Sequence, residues 1–108
     1  MVLKKAAERT WTAGPPGVER ALFRHGPTEG RASVLRLAAG AHVPRHGHAG
    51  REEVVVLVGT VQIGGIQMVA GDYLLTEPGE EHDVLALSDA EIFVTLHETT
   101  TATAGRAA

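Results

Sequence analysis

Two histidines and one glutamate within seven positions are the clearest candidates for chemistry in this sequence. One residue separates His46 from His48, and Glu52 follows four positions later, immediately before a run of valines. In an extended strand alternate side chains point to the same side, so His46, His48 and Glu52 are predicted to share one face. Imidazole nitrogen and carboxylate oxygen suit zinc, iron, manganese, nickel and copper. The stretch therefore predicts most of a transition-metal site.

A third histidine completes the predicted ligand set. Pro78-Gly79 is a strong turn signal, and His82 begins the apolar run that follows it. His82 is therefore expected on a strand adjacent to the first. The predicted site holds one divalent zinc, iron, manganese or nickel ion through His46, His48, Glu52 and His82. Four protein ligands leave an open position only if coordination expands to five or six, which favours iron, manganese or nickel over tetrahedral zinc.

These two stretches resemble the two motifs of the cupin superfamily. The first motif is matched with its three-residue spacing before the glutamate by Gly40, His46, His48, Glu52 and Gly59. The second is matched by Gly71, Gly79 and His82, whereas the proline falls one place late at Pro78 and Ala86 replaces an asparagine. That asparagine is not a regular metal ligand in cupins, so its absence leaves the implied ligand set intact.

Within the superfamily, the sequence looks most like the cupin domain of ChrR-type anti-sigma factors. The resemblance rests on Gly50-x-Glu52-Glu53 after His48, with Trp11 and Pro16-Gly17-Val18 upstream. It implies a single-domain cupin-type β-barrel, which is a jelly roll or double-stranded β-helix, and in cupins a dimer is frequent.

The rest of the chain independently predicts an all-β sandwich or barrel. Short alternating runs flank Gly64-Gly65, as in a tight hairpin, and Ile92, Val94 and Leu96 share one face of a last strand. With 108 residues the chain has room for one domain. We expect an N-terminal arm at 1–9, in front of a barrel at 10–97 and a disordered tail at 98–108.

The composition of the chain excludes some classes of binding partner. A net charge of −3 argues against a nucleic-acid surface, and no apolar stretch is long enough to span a membrane. Without cysteine there is neither a disulfide nor a thiolate ligand, and we expect a cytoplasmic protein. The unbroken apolar run from Val54 to Val58 predicts that both faces of its strand are covered. We expect a homodimer, or else the N-terminal arm, to bury Val55 and Leu57 outside the barrel.

The other polar residues receive plainer interpretations. Alternation turns Glu53 away from the site, and His42 is expected to be solvated in a loop before the motif. His25 and His97 are ambiguous, because either could line the mouth of a pocket. Small interior residues, Ser33, Val54 and Val56 among them, predict a modest apolar pocket with few polar groups to orient a substrate.

Function remains open among three alternatives, because one barrel with one ligand set serves many roles. The first is a metal-dependent dioxygenase or related oxidoreductase that acts on a small organic molecule at an open metal position. The second is a non-catalytic sensing or binding module of the ChrR-like type, for a metal or a small ligand. The third is a barrel whose metal contributes folding energy.

Overall fold

The computed structural model describes residues 1–26, 30–47 and 49–97. Within them a short 3₁₀ turn, Ala6–Glu8, precedes ten strands. The strands are β1 Trp11–Ala13, β2 Val18–Gly26, β3 Gly30–Leu37, β4 His42–Gly47, β5 Arg51–Val58, β6 Thr60–Ile63, β7 Ile66–Val69, β8 Tyr73–Thr76, β9 Glu81–Ala86 and β10 Ala90–His97. The chain therefore has the predicted all-β architecture.

The strands form two antiparallel sheets. The larger sheet has the order β1-β2-β3-β10-β5-β8, and the smaller has the order β4-β9-β6-β7. Ile63 pairs with Ile66 across the predicted Gly64-Gly65 hairpin. Both glycines have positive φ, as a two-residue type I′ turn requires.

Alternating side chains of the larger sheet fill the space between the sheets. Ile92, Val94 and Leu96 of β10 are all buried, which confirms their predicted common face. The apolar core also includes Val61, Met68 and Leu37, and burial of these side chains is the main favourable contribution to folding. Met68 thus has the packing role that unbranched, adaptable methionine often takes.

The N-terminal arm lies on the outer face of the larger sheet. The Arg9 guanidinium lies 5.4 Å from the centre of the Phe23 ring and 4.0 Å from the Glu91 carboxylate. Trp11 begins β1, and the Arg36 guanidinium stacks 3.9 Å from its ring centre. The contacts of Arg9 attach the arm to the barrel, and the contact of Arg36 with Trp11 holds β1 against β3.

The apolar run in β5 is only partly covered. Val54 and Val56 are buried in the core and Val55 is half-buried, but Leu57 is 43% exposed and Val58 is 51% exposed. The arm therefore leaves Leu57 accessible, so the homodimer stays a prediction. The tail predicted to be disordered, 98–108, lies outside the described residues. Among the residues that the structure does describe, no helix is long and apolar enough to cross a membrane.

Candidate metal centre

The stretch that contains His46, His48 and Glu52 is not one strand. β4 ends at Gly47 in the smaller sheet, and β5 begins at Arg51 in the larger sheet. The prediction that alternation along one strand brings His46 and Glu52 together is therefore wrong. The chain crosses between the sheets at this point, and the two side chains meet across the interior of the barrel.

His46 and His82 face each other on paired strands, as the sequence predicted for His82. They are register partners of β4 and β9, and their rings lie 5.2 Å apart at an interplanar angle of 81°. The register shifts between Val43 and His46, next to Pro44. A bulge of this kind redirects side chains, so that both Val43 and His46 line the interior although they are three positions apart.

Glu52 belongs to a row of residues that crosses the larger sheet. Arg31 pairs with Leu96, Leu96 with Glu52, and Glu52 with Thr76, so one row runs through β3, β10, β5 and β8. Thr76 and Glu52 are both buried. The row faces the His46–His82 pair of the other sheet, and this places the carboxylate beside the two imidazoles.

The three side chains form a compact group. One ligand atom from each of His46, Glu52 and His82 lies within 4.8 Å of the others. Glu52 Oε1 and His82 Nε2 are 3.2 Å apart, and the two residues are only 5% and 7% exposed. Burial of a carboxylate is costly unless it is paired or binds a metal. Two imidazoles and a buried carboxylate at this separation are a suitable donor set for a divalent transition metal.

Hydrogen bonds behind the rings favour the same interpretation. His46 Nδ1 donates to the Pro44 carbonyl at 2.8 Å, and in a neutral imidazole this tautomer has a free lone pair on Nε2 for a metal. His82 Nδ1 lies 3.3 Å from Thr76 Oγ1, and its Nε2 is directed at Glu52. Metal-binding histidines in proteins almost always have such a partner on the second nitrogen. The residues present therefore fit a bound metal ion.

The remaining candidates lie elsewhere. His48 is outside the described residues, so its role as the fourth ligand stays a prediction. Glu53 lies on the opposite face, where the Tyr73 hydroxyl and Thr95 Oγ1 donate to it at 2.7 Å and 3.3 Å. His25 and His97 are exposed strand residues that do not line the cavity described below.

His42 was expected in a loop, but it begins β4, where the strand pairs with β9. Its Nε2 lies 2.9 Å from Asp83 Oδ2, and this hydrogen bond lowers the pKa of Asp83. On the outer face, the hydrogen bond from Tyr73 to Glu53 raises the pKa of the Tyr73 hydroxyl. Both shifts are surface effects, because both titrating groups are exposed to solvent.

A cavity of about 420 Å³ opens beside the group. Its wall includes His46, Glu52 and His82, and it is lined mainly by apolar side chains. Ser33 and Val54 line it as the sequence predicted, whereas Val56 is buried in the core. The size is within the range of small-molecule pockets.

The comparison with sequence families decides the classification. The sequence pattern of the ChrR Cupin-like domain matches residues 1–101. The chain belongs to this family. A curated relative, the DNA damage-repair/toleration protein DRT102 of Arabidopsis thaliana, is 31% identical over 86 residues. That match covers 74% of this ChrR cupin-like chain and 27% of the relative, so the chain spans about a quarter of the relative's length.

Solved structures agree with the family. A chain in the crystal structure of Rhodobacter sphaeroides SigE in complex with the anti-sigma ChrR superposes with a TM-score of 0.76 at 27% identity. The match covers 86% of this chain and 52% of that one. The acetylacetone dioxygenase of Acinetobacter johnsonii superposes with a TM-score of 0.80 at 18% identity, covering 90% and 73% of the two chains. At that identity the likeness shows the cupin fold alone.

Sequence reasoning missed three arginines in the cavity of the ChrR cupin-like domain. Arg20, Arg31 and Arg45 all line it, so the expectation of few polar groups is wrong. Arg20 lies two positions after buried Val18 in β2, and side chains two positions apart in a strand share one face. Alternation could therefore have placed Arg20 inside. Thr76 was also missed, because its contact with His82 depends on the β8–β9 turn.

Proposed function

We propose that this ChrR cupin-like domain binds one divalent transition metal ion through His46, His48, Glu52 and His82. The ion would face a small organic molecule in the adjoining cavity. The observation that carries the proposal is the convergence of His46, Glu52 and His82, within 4.8 Å, on the cavity wall. The reaction that we favour is that of a metal-dependent dioxygenase or related oxidoreductase.

When bound, the metal would supply Lewis acidity or activate oxygen. The chain's own residues then have defined tasks. The Pro44 carbonyl and Thr76 hydroxyl orient the two imidazoles, and buried Glu52 supplies the anionic ligand. The apolar side chains of the wall lower the local dielectric constant, which strengthens electrostatic interactions beside them. No described residue is assigned as a separate general base.

A second candidate is a sensing or binding module without catalysis. The family match and the 27% identity to a chain of the SigE–ChrR complex favour this alternative. In that case the same residues would hold a metal or a small ligand, and occupancy of the site would change contacts with a protein partner. Cytoplasmic location and the homodimer remain predictions under both candidates.

Elemental analysis by inductively coupled plasma mass spectrometry tests the proposal. Freshly purified, untagged protein is compared with a His46→Ala/His82→Ala variant and with a matched His25→Ala/His97→Ala variant, which changes two exposed histidines. We expect near-stoichiometric metal in the wild type and in the matched control, with loss only in the site variant. Metal absent from all three proteins, even after reconstitution, would remove the central claim.

The identity of the metal then separates the two candidates. Iron, manganese or nickel would justify oxygen-consumption assays with diketones and small organic acids, since these ions accept expanded coordination. Zinc would favour sensing or a structural role. Oxygen uptake that depends on both metal and substrate, and that is absent from the site variant, would establish catalysis.

A further inference from the structure

The arginines of the cavity indicate the class of molecule that binds there. We infer that the cavity binds a small organic anion, most simply a short-chain carboxylate, and that Arg20 contacts its charged group. The inference rests on the proposed function only in that the metal would hold the other end of the ligand. It adds a chemical class and a specificity-determining residue.

Arg20 lies on a mainly apolar part of the wall, next to its register partner Thr12. It pairs in register with Leu35, which pairs with Ile92, and all three residues line the cavity. Arg20 is half-buried, and it forms no ion pair with any residue in 1–26, 30–47 or 49–97. A partly desolvated guanidinium on an apolar surface is best stabilised by an anion, and its planar donors match a carboxylate.

Cationic side chains outnumber anionic ones in the lining of the cavity. Arg20, Arg31 and Arg45 are cationic, whereas Glu52 is its anionic lining residue. Glu81 binds the Arg45 guanidinium at 3.0 Å and offsets its charge, so the balance of the lining is set by Arg20 and Arg31 against Glu52. The ligating imidazoles must be neutral and add no charge. A divalent metal ion would add to the positive potential. An anion would therefore be favoured over a neutral molecule of the same shape.

Strand register sets the length of the ligand. Arg20 belongs to the row of Leu35, and Glu52 belongs to the row of Arg31, four residues away along β3. Four residues of a strand span about 13 Å, and the long Arg20 side chain covers part of this separation. Apolar side chains such as Val54 line the cavity between Arg20 and Glu52. A carboxylate with a short hydrocarbon body fits this arrangement.

Calorimetric titration of the metal-loaded full chain provides the test. The probes are straight-chain monocarboxylates, beginning with acetate, and straight-chain dicarboxylates up to adipate. Each is compared with its uncharged amide. We expect carboxylates to bind and amides to bind at least about tenfold more weakly. Arg20→Gln is expected to lower carboxylate affinity about tenfold or more, and Arg20→Lys less. The matched control is Arg24→Gln, an exposed residue of the same strand that does not line the cavity.

The outcomes separate this inference from the metal proposal, because metal content is measured on every sample. Metal-loaded wild type that binds no carboxylate, or binds amides equally well, would overturn the anion site while leaving the metal site intact. Equal carboxylate affinity in Arg20→Gln and Arg24→Gln would remove the role of Arg20. If protein without metal still binds carboxylates, and this binding requires Arg20, the result would support the anion site and count against a role for the metal in holding the ligand. The comparison of acids with amides uses wild-type protein alone, so it does not depend on whether a variant folds.

Discussion

Replacing Thr76 by valine tests whether the group behind His82 serves a metal. Valine keeps the shape of threonine but removes the hydroxyl, which lies 3.3 Å from His82 Nδ1. Loss of a hydrogen bond behind a metal ligand typically costs 10- to 100-fold in metal affinity, which is about 1.4 to 2.7 kcal/mol. Because 3.3 Å is long for a hydrogen bond, we expect the lower end, about tenfold.

The chain offers a closely matched control for this experiment. Thr95 Oγ1 donates to Glu53 at the same 3.3 Å, but on the outer face of the sheet. Thr95→Val should therefore cost about as much folding free energy in the metal-free protein, roughly 1 kcal/mol, without affecting metal affinity. Metal affinity is measured by competition with a chromophoric chelator, and folding stability is measured by urea unfolding of the metal-free variants. Equal metal affinity in the two variants would refute the role assigned to Thr76.

Four further outcomes are expected. As the pH falls below about 6, metal content and melting temperature should fall together, because imidazoles must be neutral to bind metal. A melting temperature that changes with neither acid nor chelator would contradict this. Tyr73 is the only tyrosine, so tyrosinate absorbance should report a pKa above the usual value of about 10, and this pKa should return toward 10 in Glu53→Gln. A raised pKa stabilises the fold only while the hydroxyl keeps its proton, so wild type should lose stability relative to Tyr73→Phe as the pH rises through that pKa. An absorbance midpoint at or below pH 10 would exclude the hydrogen bond. Gly59→Ala should lower the free energy of unfolding by more than about 2 kcal/mol in thermal or urea unfolding, because φ is +81° and the new Cβ would clash with the Asp89 carbonyl. Gly71→Ala should cost less, because Gly71 also has positive φ but its Cβ would enter open space. Equal costs would refute the clash. Light scattering at micromolar concentration should give twice the chain mass of 11.4 kDa, and a monomer would leave only the arm to cover β5.

The strands could largely be predicted from the sequence, because their signals are local. Alternation in β10 identified its buried face through Ile92, Val94 and Leu96, and the Gly64-Gly65 pair identified a hairpin whose backbone requires positive φ. These features depend on residues close together in the chain. The same holds for the types of the candidate ligands, since histidine and glutamate are recognisable wherever they stand.

The tertiary structure decided how the ligands meet and what surrounds them. His46 and Glu52 lie only six positions apart, yet they come from opposite sheets, and a bulge after Val43 turns His46 inward. Glu52, Thr76 and Arg31 share a row only because β3, β10, β5 and β8 are in this register. Local periodicity carries no information about which strands pair or where a register shifts. The position of Arg20 in the same cavity as the ligands therefore follows from long-range pairing, whereas the capacity of the ligands to bind metal follows from their side-chain chemistry.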